Sequence, residues 1–398
     1  MAENNGKNEN TYADTHSRIK KIRYLVVILL LVFVVLAVLF YREDLTVENF
    51  RYLMKYVDVK PVTFGSSENT QIDFESDSAT VTGSFKEDLV VLTKTSVKIY
   101  DLSSEEILSD SHSMTSPALS LGDRFFATYD VGAKYVAVYN SFSKLWSNTF
   151  DFPVYDVSLD DNGNFCVVTA EKDHTSALKV YNNNFENIFN WRSVDKYSLT
   201  ADIYSADSDK VYMAVGTMKN TSAGDLLSEV VILSTDSNKV IASLDFNSEL
   251  IMKVNFNSAG NIVCLTDKVL RIIAPDGSIL SDYSFNSRAL RKFECGGEWS
   301  ALLLNENLVG KMHTLIIFGA NGDTYMVSNI NSEVTDICVS ESFAFLLGVE
   351  EITVIDLKGK QVKAYPSERS YRSVELLDEK NVYLVYDGMA LAKGVEVE

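Results

Sequence analysis

The chain has 398 residues, with 36 Lys and Arg against 55 Asp and Glu, a formal net charge of −19. A surface this acidic repels phosphates and excludes nucleic acid as a partner. With 46% hydrophobic and 23% charged residues most of the chain can bury a core, 20 Tyr and 21 Phe against 5 Pro lean towards strands, and four Cys make no disulfide scaffold.

Residues 1–21 are polar, lack core formers and read as a disordered cytoplasmic tail. Tyr24 to Tyr41 then run for eighteen positions without a charge, and Ile22 extends the run. At ~1.5 Å per residue that covers roughly 27 Å, enough for a bilayer core, so residues 22–41 are predicted to form a transmembrane helix. No A-x-A-like site follows before Arg42 and Glu43, which argues for an uncleaved signal-anchor. Arg18, Lys20, Lys21 and Arg23 precede the span, so the N-terminus is expected in the cytoplasm and the bulk outside the cell membrane. In residues 42–59, Val47, Phe50, Met54 and Val57 share one helical face and Thr46 can cap it. Such a helix packs on the following domain or lies on the bilayer; its polar face has few basic residues, which favours packing.

From residue 60 to 398 one segment type recurs: a polar turn, then a short apolar run. The first large apolar residues are Leu89, Phe125, Phe165, Val211, Ile262, Trp299, Phe343 and Val382, a mean interval of about 42. Strands only, at a period of about 40–45, make the four-stranded blade of a β-propeller. Third strands follow at blade spacing, and Pro275-Asp276-Gly277, Asn321-Gly322-Asp323 and Lys358-Gly359-Lys360 supply hairpin turns. The fold is therefore predicted to be all-β, a propeller of eight four-stranded blades; seven remain if the long fourth unit is misread. The eighth unit lacks an outer strand, and residues 70–75 (TQIDFE) are an unassigned strand that can supply it and join the ring's ends.

EEITVIDLKGKQVKAY has the cadence of YVTN- and PQQ-like propellers, whereas a WD40 repeat proper would show Trp-Asp and Gly-His pairs. The span, LTVENFRYLMKYVD and SPALSLGDRFFATYDVGAKYVAVYN together resemble a family of single-pass, membrane-anchored propellers of Gram-positive anaerobes, a domain of unknown function. Pro117, Tyr129, Asp130 and Gly132 match its pattern, and Ala133 stands where a second Gly is usual. The resemblance implies topology and fold, and no chemistry.

Nucleophile-elbow, P-loop, G-x-G-x-x-G and H-E-x-x-H motifs are absent, so no catalytic residue is assigned. No cofactor and no metal is expected either. Trp146, Trp191 and Trp299 are not placed as PQQ-docking residues, and His112, His174 and His313 fall in different blades. Asp160-Asp161-Asn162-Gly163-Asn164 hints at calcium but reads first as a turn. Cys166, Cys264, Cys295 and Cys338 occupy strands; only Cys295 and Cys338 lie on neighbouring inner strands, and buried free thiols are expected.

Two sets of binding residues emerge. Asp156, Asp202, Lys253, Lys292, Asp336 and Glu375 share a face of the inner strands and should line the central channel. Phe246-Asn247-Ser248, Phe285-Asn286-Ser287 and Ile330-Asn331-Ser332 mark the links between blades. Beside them Trp191, Arg192, Arg288, Tyr371 and Arg372 are candidate anchors of a binding face. The expected function is a membrane-anchored, extracytoplasmic binding or scaffold module for a protein, peptide or cell-envelope component. The alternative is a lactonase- or lyase-like propeller enzyme with a divalent cation held by channel carboxylates.

Overall fold

The computed structural model describes residues 23–33, 35, 62–64, 70–207, 210–220, 226–306, 312–358 and 362–395. The chain divides into two compact units, Met1–Asp58 and Val59–Glu398. In the first, residues 23–33 form a helix. No helix among the described residues is long and apolar enough to cross a membrane. Residues 22, 34 and 36–41 of the expected span, the tail 1–21 and the juxtamembrane helix of 42–59 lie outside the described residues.

The second unit is an eight-bladed β-propeller; seven blades are four-stranded antiparallel sheets with their strands in chain order from the centre outward, and the eighth takes its outer edge from the start of the unit. The inner strands are Val81–Phe85, Pro117–Leu121, Val154–Leu159, Tyr197–Asp207, Ile251–Phe256, Ala289–Gly296, Val334–Val339 and Ser373–Leu376. The second and third strands are sandwiched between neighbouring blades, so they are apolar on both faces; Asp88–Leu92, Ile262–Thr266 and His313–Phe318 are buried throughout. Outer strands such as Ile279–Ser284 face solvent and alternate.

The long fourth interval in the sequence has a structural cause. Three of the fourth blade's strands run to eleven residues and its third to nine, against five or six in the fifth blade.

Turn chemistry recurs around the ring. Asp160 caps its own turn: its carboxylate accepts from the Asn164 backbone N–H (2.8 Å) and side-chain amide (2.9 Å). Asn257 does the same for Ala259 and Asn261, and Asp378 for Lys380 and Asn381. Gly322 sits at φ +84°, where a Cβ would collide with Ser281 in the preceding blade, so only Gly lets the two blades approach.

The ring closes as the sequence arithmetic requires. Thr70–Asp73 pairs antiparallel with the last strand, Met389–Gly394, register Thr70↔Ala392 to Asp73↔Met389. A second piece, Val62–Thr63, pairs parallel with the end of that strand, a contact absent from the sequence reading. Ile72 is fully buried between the last blade and the first. All four cysteines are free.

Five inner strands carry a β-bulge near their start, between Val154/Asp156, Ser198/Thr200, Ile251/Lys253, Leu290/Lys292 and Val334/Asp336. The extra residues are Tyr155, Leu199, Met252, Arg291 and Thr335. A bulge turns one residue out of the ladder and re-aims the next. Here the next residue points to the ring axis.

Candidate functional site

Alternate inner-strand residues such as Val157, Ile203, Val254 and Val374 are buried in the blade cores, which turns the other set towards the axis. The channel wall has two tiers. The tier just after the bulges holds Asp156, Thr200, Lys253, Lys292 and Asp336; the tier two residues deeper holds Ser158, Asp202, Asn255, Glu294 and Glu375. Lys292 pairs with Asp336 of the next blade at 2.9 Å, and Lys253 reaches back across the fourth blade to Asp156 at 4.0 Å.

The acids also stitch neighbouring blades. Asp156 accepts from the Ala201 backbone N–H at 3.1 Å, Asp202 from that of Phe256 at 2.5 Å, and Asp336 from that of Val374 at 3.1 Å. Tyr129 (3.1 Å) and Thr200 (2.9 Å) donate to Asp156 as well, and Ser158 donates to Asp202. Glu375 accepts from Thr82 of the first blade at 3.0 Å and from Ser373 at 2.8 Å. These carboxylates hold inner strands side by side.

Glu294 escaped the sequence reading, although it lies two residues after Lys292 on the same face. Burial, then the nearby charges of Glu375 and Asp336, push its carboxyl up to about 8. Burial lifts Glu375 to about 7 and Asp202 to about 6, against the hydrogen bonds each accepts. The deeper tier is therefore partly protonated at neutral pH.

At one end of the ring lies a cavity of about 680 Å³, lined by Asp123, Asp160, Asp161, Asp202 and Glu341 and, among the described residues, by no basic side chain. This is the turn face, formed by the turns joining first to second and third to outer strands. The opposite, linker face holds the links between blades and the turns joining second to third strands. The described turns of the turn face carry fourteen acidic and four basic residues; those of the linker face carry twelve and eight. Apolar exposure is reversed. Among the described residues outside the outer strands, nine large apolar side chains are exposed at the linker face, Val131, Met312 and Val349 among them, and Leu121 alone at the other. Single exposed apolar residues are ordinary, whereas large contiguous apolar patches are typical of interaction surfaces.

The expected anchors fare unequally. Arg372 is exposed on the linker face and pairs with Asp387 at 3.0 Å, beside a cavity of about 310 Å³ between the last and first blades. Trp191 and Arg192 are not in a linker. They belong to the outer strand Asn187–Ser193, where Trp191 packs on the core between the third and fourth blades and Arg192 pairs with Glu171 at 2.8 Å. Tyr371 does lie in a link, yet it is 8% exposed and packs into the core of the seventh and eighth blades. A ring beside a blade gap is drawn into it by the apolar side chains on both sides.

Arg288 is spent on its own link: it donates to the Phe285 carbonyl (3.0 Å), the Tyr283 hydroxyl (2.8 Å) and Glu306 (3.1 Å). Arg288→Ala should therefore cost stability, about 1–2 kcal/mol for a partly exposed charged group with several bonds. A thermal melt checks this; an unchanged midpoint would return Arg288 to the pool of free anchors. Phe246, Phe285 and Ile330 are buried; Ser248, Asn286 and Ser287 take positive φ, so the first two links are turns as expected, whereas Asn331-Ser332 makes only a bend.

A profile of a family of unknown function, DUF5711, matches residues 64–391. No curated protein matches the sequence. Among solved structures the chain is similar to BamB from Moraxella catarrhalis, at 8% identity over 83% of this chain and 96% of that one, with a TM-score of 0.52. It is also similar to a eukaryotic initiation factor (11% identity, 82% and 84% covered, TM-score 0.54) and to the WD40 domain of SCAP from fission yeast (10%, 84% and 97%, 0.50). At these identities the likeness shows the propeller fold alone. The family match spans most of the chain, and the chain belongs to DUF5711.

Proposed function

We propose that this member of DUF5711 is a membrane-anchored scaffold whose propeller sits outside the cytoplasm and binds a protein, a peptide or a cell-envelope component on its linker face. The observation that carries the reading is the one-sided gathering of exposed apolar side chains there, opposite a strongly acidic face. The anchor rests on the sequence from Ile22 to Tyr41 and on the helix at residues 23–33, whose described apolar side chains are all exposed. The basic flank Arg18 to Arg23 sets the orientation. The cation-dependent enzyme finds less support, because Asp156, Asp202 and Asp336 are engaged between blades.

Photo-crosslinkers at Val131 and Val349 on the linker face, and at Asp161 and Asp323 on the turn face, test the reading in intact membranes. Crosslinks should form from the first pair only. Equal yields from both faces, or yields from the turn face alone, would refute it.

A further inference from the structure

The exposed apolar residues are not spread evenly round the linker face. Tyr155, Val194, Tyr197, Leu226, Leu250 and Met252, between 44% and 65% exposed, all belong to the third, fourth and fifth blades. Two of them, Tyr155 and Met252, are bulge residues, turned out of the ladder by the same device that aims Asp156 and Lys253 at the axis. A hairpin stands beside them. In the fourth blade the second strand continues from Thr217 to Asn220, three residues beyond the level at which the fifth blade's second strand ends at Thr266. At ~3.3 Å per residue it projects about 10 Å, with Lys219 and Asn220 paired to Leu227 and Leu226 of the third strand.

Among the described residues, most charges of this platform are met locally. Glu229 is held by Lys196 (2.7 Å) and Lys219 (3.6 Å), Glu249 by Arg271 through two bonds of 2.5 and 2.9 Å, and Asp156 by Lys253. Asp267 accepts from the Leu250 backbone N–H, and Lys268 donates to the Ser248 carbonyl. On a chain of net charge −19 this region presents apolar area with little net field. Its electrostatic complement is an apolar surface of low charge; a polycation would be drawn to the turn face instead.

Resting on the scaffold reading, we propose that the platform on the third to fifth blades docks a segment of a partner protein that carries apolar anchors and near-zero net charge. The bulge residues Tyr155 and Met252 and the wall of the fourth-blade hairpin give that segment its contacts.

The test uses the full chain in mild detergent and three sets of synthetic twelve-residue peptides of equal length: apolar and uncharged, Lys-rich, and Glu-rich. The uncharged apolar set should bind best. Its affinity should fall at least tenfold in the double variant Tyr155→Ser, Met252→Ser, and independently in Val194→Asn, Leu250→Asn. It should hold in Ile279→Ser, Val327→Ser, equally exposed residues on outer strands. All three variants should keep the parent melting temperature. Unchanged affinity in the first two pairs, or preference for a charged set, overturns the proposal. Self-association lost in the same variants would assign the platform to a second copy, and flotation with phosphatidylcholine vesicles lost in them would assign it to lipid; either result overturns it too. Partner crosslinks from Val131 and Val349 that persist in the double variants leave the scaffold standing and remove only the platform, whereas no crosslinks at all remove the scaffold reading itself.

Discussion

A chain shortened to begin at Thr80 should melt at least 10 °C below the full protein or aggregate on heating. The loss follows from what residues 62–73 cover. Thr70–Asp73 and Val62–Thr63 share the outer edge of Met389–Gly394, and without them that strand presents a row of unpaired N–H and C=O groups. Ile72 is fully buried with Leu89 and Val91 of the first blade and Tyr383, Val385 and Ala390 of the last. Phe64 stacks on Tyr365 at 4.9 Å between ring centroids. The single change Ile72→Ala should already cost about 2–5 kcal/mol, the range for truncating a buried Ile. Melting followed by sedimentation checks both. Equal midpoints for the shortened and full chains would show that the ring is held by its other seven junctions.

Stability should fall as pH rises from about 5 to 8, against the usual direction for acid-rich proteins. Glu294, Glu375 and Asp202 keep their protons to about 8, 7 and 6 in the folded ring, above their ordinary values of 4.5, 4.5 and 3.8. Between those limits the folded state binds protons that the unfolded chain has released. The stabilisation is present at the acid side of the window and is lost as pH climbs through the folded values. Carboxyls held low, such as Glu249 by Arg271 and Asp110 chiefly by the bonds from Lys144 and Tyr139 against burial, act oppositely and only below about pH 4–5. The optimum should therefore sit near pH 5. A tenfold difference in one carboxyl's proton affinity between the folded and unfolded chain is worth about 1.4 kcal/mol, less what solvent screening removes. Glu294→Gln should then stabilise the protein on the order of 2 kcal/mol at pH 8 and leave it nearly unchanged at pH 5. A melting temperature that rises from pH 5 to 8, or a Glu294→Gln protein that melts lower at pH 8, would contradict the reading of the deeper tier.

The repeat was legible because a four-stranded blade needs about 42 residues and each blade buries its second and third strands on both faces. The eight apolar markers from Leu89 to Val382 record that demand directly. Closure was legible from a deficit: the last unit ran out of chain before its outer strand, and Thr70–Asp73 was a strand without a blade. Two of the links were legible too, since Asn-Ser pairs favour turns and Asn286 tolerates the positive φ it adopts.

Which side of a blade junction a residue meets was not legible. Trp191 and Tyr371 sit at sequence positions that read as loop, and the neighbouring blade turns both inward. Arg288 looked free, but its partners Tyr283 and Glu306 come from the ends of two other strands. The six inward charges lie at a regular spacing before the second strand, while the bulges that aim most of them, and so expose Tyr155 and Met252, leave no mark in the hydrophobic pattern. Composition and period, being sums over many residues, determined an acidic all-β ring of eight blades. The binding face was decided by tertiary structure, because exposure, ion pairing and the pKa of Glu294 depend on which side chain of the next blade, about 40 residues away in sequence, stands within a few ångströms.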